Sequence, residues 1–414
     1  MRDIQGFIHC ARAGRILLAV FAAVLLLNAA LAQGQDGKIG TIDLLTGKGV
    51  EEVKGEWRYI DAFTGTGDKK NEIEPKAHNV FDDSKWMVLK PEECKTSRGA
   101  GNYCFGWYRI KVTIPGTVGG KDFKGGPVWF GTTVDDYGEI FVDGEIDLAP
   151  GKSGRGAITG FNTLNRVRLQ KPDEQDKTKK RDAKPGDVFQ IAVFGINSPL
   201  GVPPGNKVFL RPTTLDFYAA GAKDDGANVP KVAKGPEGKE AAVIDLLKSD
   251  GVKLVQGGWS RHVVAVHTGK NKNDIDPKAS SQLKDDEWEK VGDPADLTKG
   301  FGPGGYSLIW YRTKVTIPEK VGDVNVAGSA VWFRTTVENY GEVWINGKVD
   351  SSFGSSGRGC VSGFNRENEI MLTNSAKPGD TFNVMVLAMN GPFGNPPTTQ
   401  PKFAAPTQLR FFQK

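Results

Sequence analysis

The chain has few of the side chains that build most nucleophilic and metal centres. Its 414 residues contain only four cysteines and four histidines. His262 and His267 stand in a strand-like stretch, at a spacing that puts them on opposite faces of a sheet. A histidine-based metal site and Ser-His or Cys-His hydrolysis are therefore disfavoured.

The sequence also lacks a strong charge of either sign. Lysine and arginine number 54 against 49 aspartate and glutamate, a formal net charge of +5 that is spread evenly. Nucleic-acid binding needs a concentrated positive surface, so we expect no nucleic-acid partner. Beyond the first residues, no apolar run reaches the ~20 residues that cross a bilayer, and we expect no membrane span in the mature chain.

The N-terminus has the pattern of an export signal. Arg2 and Arg15 give a positive start, Ile16 to Leu27 is apolar throughout, and Ala30-Leu31-Ala32 offers small residues for cleavage. Residues 1–32 are predicted to be a signal peptide, and the mature protein to be secreted or periplasmic. An uncleaved membrane anchor is the alternative, but the apolar run is short for one.

An internal repeat covers nearly the whole mature chain. VWFGTTVDDYGE at Val128–Glu139 recurs about 200 residues later as VWFRTTVENYGE at Val331–Glu342. Each copy is long enough to bury its own core. We predict one domain at 38–218, a second at 241–414, and a flexible linker at 219–240, which is rich in Ala, Gly, Lys and Asp.

The local patterns are those of strands and tight turns. From Tyr108 to Ile114 apolar and polar residues alternate, which is typical of a half-buried strand. Asp143-Gly144 and Asn346-Gly347 are dipeptides that suit hairpins. The sequence predicts an all-β protein of two tandem antiparallel β-sandwiches.

The cysteines permit one disulfide. Export favours oxidation, and a bond between Cys94 and Cys104 would close one short loop. The second copy has no pair at the matching places, so the fold does not depend on this bond.

The repeated motifs resemble a known family. Trp107-Tyr108-Arg109, the strand ending at Ile114-Pro115, and the run from Asp135 to Gly144 are similar to the sugar-binding jelly roll of glycoside hydrolase family 2 and to galactose-binding-like domains. Gly195–Pro204 is also similar to the ending of accessory domains found beside gluconolactonase-like propellers. The resemblance implies tandem jelly rolls that bind a poly- or oligosaccharide, with a partner hydrolase as a further possibility.

Candidate sugar contacts follow from this resemblance and from two Gly-rich stretches that each carry one arginine. They are Asp136, Tyr137, Glu139, Arg155, Asn162 and Asn197 in the first copy, and Asn339, Tyr340, Glu342, Arg358, Asn365 and Asn390 in the second.

Each candidate also has a structural interpretation. Arg155 could brace Asp135 or Asp136, and Arg358 could brace Glu338, since ion-pair networks resemble binding sites. The asparagines could fix turns, and Glu139 and Glu342 could tie down loops. Most tryptophans are expected in the core, whereas Phe141, replaced by Trp344 in the second copy, is the better candidate for an exposed aromatic side chain.

Catalysis and cofactors are weakly indicated. Asp135-Asp136 is a carboxylate pair of the kind that glycosidases use, but the second copy has Glu338-Asn339 and an amide cannot act as a general acid. No cofactor is expected. Structural calcium could be held by such carboxylates and loop carbonyls, without EF-hand spacing.

The sequence thus predicts a secreted, non-catalytic protein with two sugar-binding modules whose avidity depends on the linker. One alternative is a scaffold that docks a partner enzyme or the cell envelope. The other is an accessory to, or a degenerate form of, a glycoside or sugar-lactone hydrolase.

Overall fold

The computed structural model describes residues 37–62, 81–99, 104–146, 160–197, 207–222, 235–264, 285–302, 307–349, 364–391, 399–404 and 406–413. The described residues are 53% strand and 9% helix, and the sheets they form are antiparallel, so the predicted all-β class is confirmed. The signal peptide, both Gly-rich stretches and the centre of the linker lie outside the described residues.

The first half of the chain contributes two five-stranded sheets with the strand orders β1-β14-β7-β10-β11 and β3-β2-β4-β12-β9. Its strands are β1 Lys38–Asp43, β2 Trp57–Ala62, β3 Met87–Leu89, β4 Cys104–Thr113, β5 Thr117–Val118, β6 Lys121–Asp122, β7 Val128–Thr132, β8 Val134–Asp135, β9 Tyr137–Val142, β10 Asn165–Pro172, β11 Lys180–Asp182, β12 Val188–Asn197, β13 Phe209–Leu210 and β14 Thr214–Tyr218.

The second half repeats this arrangement. One sheet has the order β15-β26-β21-β23 with β25 beside β21, and the other has the order β17-β16-β18-β24-β22. Its strands are β15 Lys239–Asp245, β16 Ser260–Val264, β17 Glu289–Lys290, β18 Ser307–Thr316, β19 Lys320–Val321, β20 Val324–Asn325, β21 Ala330–Glu338, β22 Tyr340–Ile345, β23 Glu367–Thr373, β24 Thr381–Asn390, β25 Lys402–Phe403 and β26 Gln408–Gln413.

In the described part of the chain, helix is confined to segments of three to six residues. The α-helices are α1 Gly47–Glu52 and α2 Ser249–Leu254, and the 3-10 helices among the described residues are Pro91–Lys95, Asp285–Glu287 and Pro294–Thr298. Thr46 caps α1, its hydroxyl accepting the Gly49 N–H at 3.1 Å.

Alternation along the strands gives each half its own core, as the sequence patterns predict. On β4, Tyr108, Ile110 and Val112 point into a core that also receives residues from the opposite sheet, such as Phe130 and Phe217. The second half has an equivalent core around Tyr311, Phe333 and Phe411. All strand pairs formed by described residues join strands of the same half, so we call the halves the first and second module.

The hairpins form at the predicted dipeptides. Asp143 and Gly144 have φ of 52° and 86°, and Asn346 and Gly347 have φ of 51° and 73°. Two successive positive φ angles match the twist of the adjoining strands, and asparagine, aspartate and glycine tolerate them best.

A third apolar cluster joins the modules, which we call the inter-module layer. It is built from the outer faces of the β4 and β18 sheets. Its members are Ala62, Trp86, Phe105, Trp107, Tyr137, Phe141, Ala192, Phe194 and Ile196 of the first module, and Val264, Trp288, Leu308, Trp310, Tyr340, Trp344, Leu387 and Met389 of the second. The modules therefore pack against each other and are not independent bodies on a flexible linker.

The cysteines differ from expectation. Cys94 and Cys104 are both buried thiols in the first-module core and do not form the expected disulfide. Burial raises the pKa of the Cys94 thiol to about 12, as expected for an unreactive core side chain.

Candidate functional site

The fold brings several predicted residues of the first module together at one end of its β4 sheet, where β9 begins and β12 ends. The Asp136 N–H donates to the Ile196 carbonyl at 2.9 Å, and the Asn162 N–H donates to the Asp136 carbonyl at 2.5 Å. Asn197 is the last residue of β12 and is fully buried. We call this cluster the strand-end site.

The second module has the same arrangement. The Asn339 N–H donates to the Met389 carbonyl at 3.2 Å, and the Asn365 N–H donates to the Asn339 carbonyl at 2.5 Å. The Asn390 side-chain amide donates to the Thr399 carbonyl. The Asn339 Oδ1 accepts the Gly391 N–H at 3.2 Å, so its amide stabilises the chain locally.

Asn162 and Asn365 have a clear conformational role. Their φ angles are 49° and 50°, in the left-handed region where asparagine is favoured over most residues. The turn interpretation of these two asparagines is thus favoured by their geometry.

The tyrosines and glutamates of the candidate set face the other module rather than solvent. The Tyr137 and Tyr340 rings meet edge to face, with centroids 5.1 Å apart. Glu139 and Glu342 are 0% exposed, and the Trp344 Nε1 donates to the Glu342 carboxylate at 3.4 Å. Burial, followed by the charge of Glu139, raises the pKa of Tyr137. In this packing the four side chains are at most 3% exposed.

The carboxylates of Asp135 and Glu338 have partners that the sequence did not indicate. Asp135 is bound by Arg211 at 2.5 Å, and Glu338 lies 3.1 Å from Lys402. Arg155 and Arg358, the expected braces, lie outside the described residues. Arg211, next to β13, and Lys402, the first residue of β25, were not predicted as partners because they lie far from the carboxylates in the sequence. The peptide bonds Asp135–Asp136 and Glu338–Asn339 are both cis.

The expectation of an exposed aromatic at Phe141 and Trp344 is wrong. The two side chains are 1% and 5% exposed, because both lie in the inter-module layer.

An open pocket of about 320 Å³ lies elsewhere on the first module, and we call it the charged pocket. It is lined by Lys54, Glu56, Arg58, Phe81, Asp82, Asp83, Arg109, Ile110, Lys111 and Gln190. None of these residues was singled out as a sugar contact from the sequence.

The pocket lies on the face of the β4 sheet that also carries the inter-module layer. Along β4, Arg109 and Lys111 alternate with the core residues Ile110 and Val112 and so point to the opposite face of the sheet. Phe105 and Trp107, nearer the start of β4, point to that same face. In the paired strands, Arg58 stands beside Arg109 and Gln190 beside Lys111. One face of one sheet therefore has an apolar end docked on the second module and a polar end left open.

Arg109 organises the pocket. It is 1% exposed, and its Nη1 donates to the Asp83 carboxylate and the Phe81 carbonyl, both at 3.0 Å. Burial lowers the pKa of the guanidinium, Asp83 opposes this shift, and arginine remains protonated in proteins. Arg58 binds Glu56 at 2.5 Å and the Asp83 carbonyl at 3.0 Å.

Aromatic rings complete one wall. The Arg109 guanidinium lies 5.7 Å from the Phe81 ring centroid and 5.6 Å from that of Trp86. Phe81 is 36% exposed, so part of its ring remains available to a ligand.

Several of the residues that line this pocket differ at the described positions of the second module. Gly258 and Ser260 stand where the first module has Glu56 and Arg58. Asn383 replaces Gln190, whereas Arg312 retains the place of Arg109 and lies 4.2 Å from the Trp288 ring. Several positions are charged in the first copy and uncharged in the second, and this difference in the sequence could have revealed the pocket.

Neither a candidate metal centre nor a membrane-crossing helix is present in the described part of the chain. Within it, no group of three or more His, Cys, Asp and Glu side chains is placed to hold a metal ion. Its helices are also too short and polar to cross a membrane.

No protein-family profile matches the chain, and no curated protein matches it. Among solved structures, it is similar to a glycosyl hydrolase family 2 member from Bacteroides cellulosilyticus at 10% identity and a TM-score of 0.26, covering 80% of this chain and 30% of that one. It is similar to a calcium-binding mutant of Bacteroides uniformis beta-glucuronidase 2 at 12% identity and a TM-score of 0.25, covering 86% and 28%.

An anti-sigma factor domain-containing protein is similar at 11% identity and a TM-score of 0.19, covering 87% of this chain and 92% of that one. The chain spans less than a third of the length of the two glycosidases. Similarities this remote assign no function, so the function has to be argued from the residues themselves.

Proposed function

We propose that this is a secreted, non-catalytic carbohydrate-binding protein made of two galactose-binding-like jelly-roll modules, with its sugar site in the charged pocket of the first module. The observation that carries the proposal is the open pocket itself, with planar polar side chains around an exposed phenylalanine ring.

The pocket has the chemistry that sugar recognition requires. Hydroxyl groups are both donors and acceptors, and the pocket offers guanidinium donors from Arg58, a carboxylate acceptor from Asp82 and an amide from Gln190. Phe81 supplies an apolar surface for the C–H face of a sugar ring. The volume, about 320 Å³, is at the small end of ligand sites and suits one or two sugar residues.

The site is also held in place before a ligand arrives. Arg58, Arg109 and Gln190 stand on three neighbouring strands, and each is held by a hydrogen bond or ion pair within the module. Preorganised polar groups lose little conformational freedom on binding, which favours affinity.

The pocket favours binding over hydrolysis. Glu56 is engaged by Arg58, and Asp83 is engaged by Arg109. Hydrolysis by a pair of carboxylates needs one of them to donate a proton to the leaving group, and carboxylates committed to guanidinium groups suit a fixed scaffold better.

In this proposal the strand-end residues divide by role. Tyr137, Glu139, Tyr340 and Glu342 serve the packing of the modules, whereas Arg155 and Arg358 remain predicted sugar contacts. The proposed pocket on the first module is an additional site beside the two equivalent sites that the sequence predicts.

Polysaccharide pull-down and a glycan array with the full mature chain test the proposal. Phe81→Ala and Arg58→Ser, the latter copying the second module, should each weaken binding at least tenfold. Ser260→Ala, at the matching place in the second module, is the control and should bind as wild type. Unchanged binding by both pocket variants would show that the sugar site lies elsewhere.

Docking of a partner is a second candidate function, favoured by one feature. Met87 and Val88 on the edge strand β3 are 55% and 52% exposed, whereas the matching strand β17 is Glu289-Lys290. An exposed apolar edge strand is a template for pairing with another chain. If β3 docks a partner in the cell envelope, a Met87→Glu/Val88→Lys variant should no longer be found in the cell-envelope fraction. Its glycan binding should stay intact.

A further inference from the structure

The charged pocket has an excess of cations. Its lining includes four basic side chains, Lys54, Arg58, Arg109 and Lys111, and three acidic ones, Glu56, Asp82 and Asp83. A concave surface with an excess of one sign concentrates ligands of the opposite sign.

The acidic side chains are already engaged. Glu56 binds Arg58, and Asp83 binds Arg109. Asp82 accepts the Ser84 N–H at 2.9 Å, and this hydrogen bond lowers the pKa of Asp82. Glu56 and Asp83 therefore neutralise the two arginines, and Asp82 is the one remaining carboxylate against the two lysines, so the pocket keeps one excess positive charge.

Lys54 and Lys111 have no carboxylate within ion-pair distance in the described part of the chain. Lys111 stands on β4 two residues beyond Arg109 on the same face, and Gln190 faces it from β12. A row of cations along one sheet face is electrostatically unfavourable unless an anion offsets it.

From this arrangement we infer that the ligand of the charged pocket is an anionic saccharide, whose acid group, a carboxylate or a sulfate, is bound by Lys54 and Lys111. The inference rests on the proposed function and narrows it from sugars in general to acidic sugars. Ammonium groups bind either acid group as point charges, so both sources share this chemistry.

The inference applies to the first module alone. Gln256 takes the place of Lys54 in the second module, and both residues have the same backbone conformation, with φ of 52°. Lys314 takes the place of Lys111 and faces Asn383, so the second module keeps one lysine of the pair, and Ser260 stands in place of Arg58.

The test is calorimetric titration of the full mature chain with three probes at 50 and 300 mM NaCl. The probes are oligogalacturonides for the carboxylate, carrageenan oligosaccharides for the sulfate, and neutral galacto-oligosaccharides. We expect at least one acidic probe to bind tenfold more tightly than the neutral one at low salt. Its affinity should fall at high salt because the ion pairs are screened.

The double variant Lys54→Gln/Lys111→Gln should reduce acidic-probe affinity at least tenfold and flatten its salt dependence, with neutral binding unchanged. Both lysines are exposed, so the variant should melt like wild type. Lys314→Gln, at the place that matches Lys111, is the control, and it removes one lysine charge outside the pocket.

The outcomes separate the inference from the proposal beneath it. Equal affinity for acidic and neutral probes, or acidic binding that survives the double variant, would overturn the anionic-ligand inference while leaving carbohydrate binding intact. An equal loss of acidic-probe affinity in Lys314→Gln would show that overall charge causes the effect, and it would also overturn the anionic-ligand inference. Failure of all sugars on a broad array would overturn the proposed function itself.

Discussion

Arg109 and Arg312 occupy matching places in the two modules but have different surroundings. Arg109 lies beside Arg58, binds Asp83 and is almost fully buried. Arg312 lies beside Ser260, and its guanidinium lies near Trp288 as that of Arg109 lies near the matching Trp86. A residue retained in both copies therefore marks a position in the fold, and its partners decide what it does.

At the scale of one residue, the ion pair of Asp187 predicts how the stability of the protein depends on pH. Burial opposes ionisation, but Arg181 donates to its two oxygens at 2.7 and 2.9 Å and the Lys184 N–H donates at 2.8 Å, and the net effect lowers the pKa of Asp187. A lowered pKa stabilises the folded state above the unfolded-state value, near 4, and this stability is lost as pH falls.

Asp187→Asn should therefore be less stable than wild type at pH 7, and the difference should shrink below about pH 4. Urea unfolding between pH 3 and 7 measures this. Asp380→Asn, at the matching turn of the second module, is the control and should show a smaller pH-dependent difference. A constant gap between wild type and Asp187→Asn across this range would contradict the linkage.

At the scale of the element, the single-turn helices explain a glycine in each module. A Cβ on Gly49 would lie 1.8 Å from the Asp43 carbonyl oxygen, and one on Gly251 would lie 1.9 Å from that of Asp245. Each helix thus starts against the end of the strand before it, at a distance that only glycine permits.

Gly49→Ala should destabilise the protein by about 2 kcal/mol or more, since the clash is with backbone and cannot be relieved by a side-chain rotation. Gly47→Ala, on the same helix with nothing within 4 Å, should be neutral or slightly stabilising. Thermal melting of the two variants checks this, and equal melting temperatures would show that the turn can move.

Much of the fold at this scale was predictable. The alternation in Tyr108–Ile114 identified β4 and its core face, and Asp143-Gly144 identified a hairpin. The charged pocket was not predictable, because its residues come from three strands, from the segment at Lys54 and Glu56, and from the segment at Phe81. Their proximity depends on strand register, which the linear spacing does not give.

At the scale of the whole molecule, the inter-module layer makes the two modules one unit. Tyr340 packs on Tyr137, and Trp344 lies in the same layer. Each module also keeps its own complete core. Breaking the layer should therefore separate the modules without unfolding them.

Tyr340→Asp should turn a single calorimetric unfolding transition into two and increase the radius of gyration measured by X-ray scattering. The introduced carboxylate is costly to bury against apolar side chains, so separation with hydration is favoured. Met371→Arg, at an exposed position, is the control and should leave both measurements unchanged. One transition and an unchanged radius in Tyr340→Asp would show that the layer is not needed to hold the modules together.

The sequence by itself determined the repeat, the strands, the hairpins and the inward face of each strand, because these depend on local periodicity and on backbone preferences of single residues. Only the tertiary structure decided what covers the other face of β4. Phe105 and Trp107 meet the second module there, whereas Arg109 and Lys111 stay at an open pocket. Alternation shows that two faces exist, but burial of the second face depends on surfaces far away in the chain, and so does the site that remains uncovered.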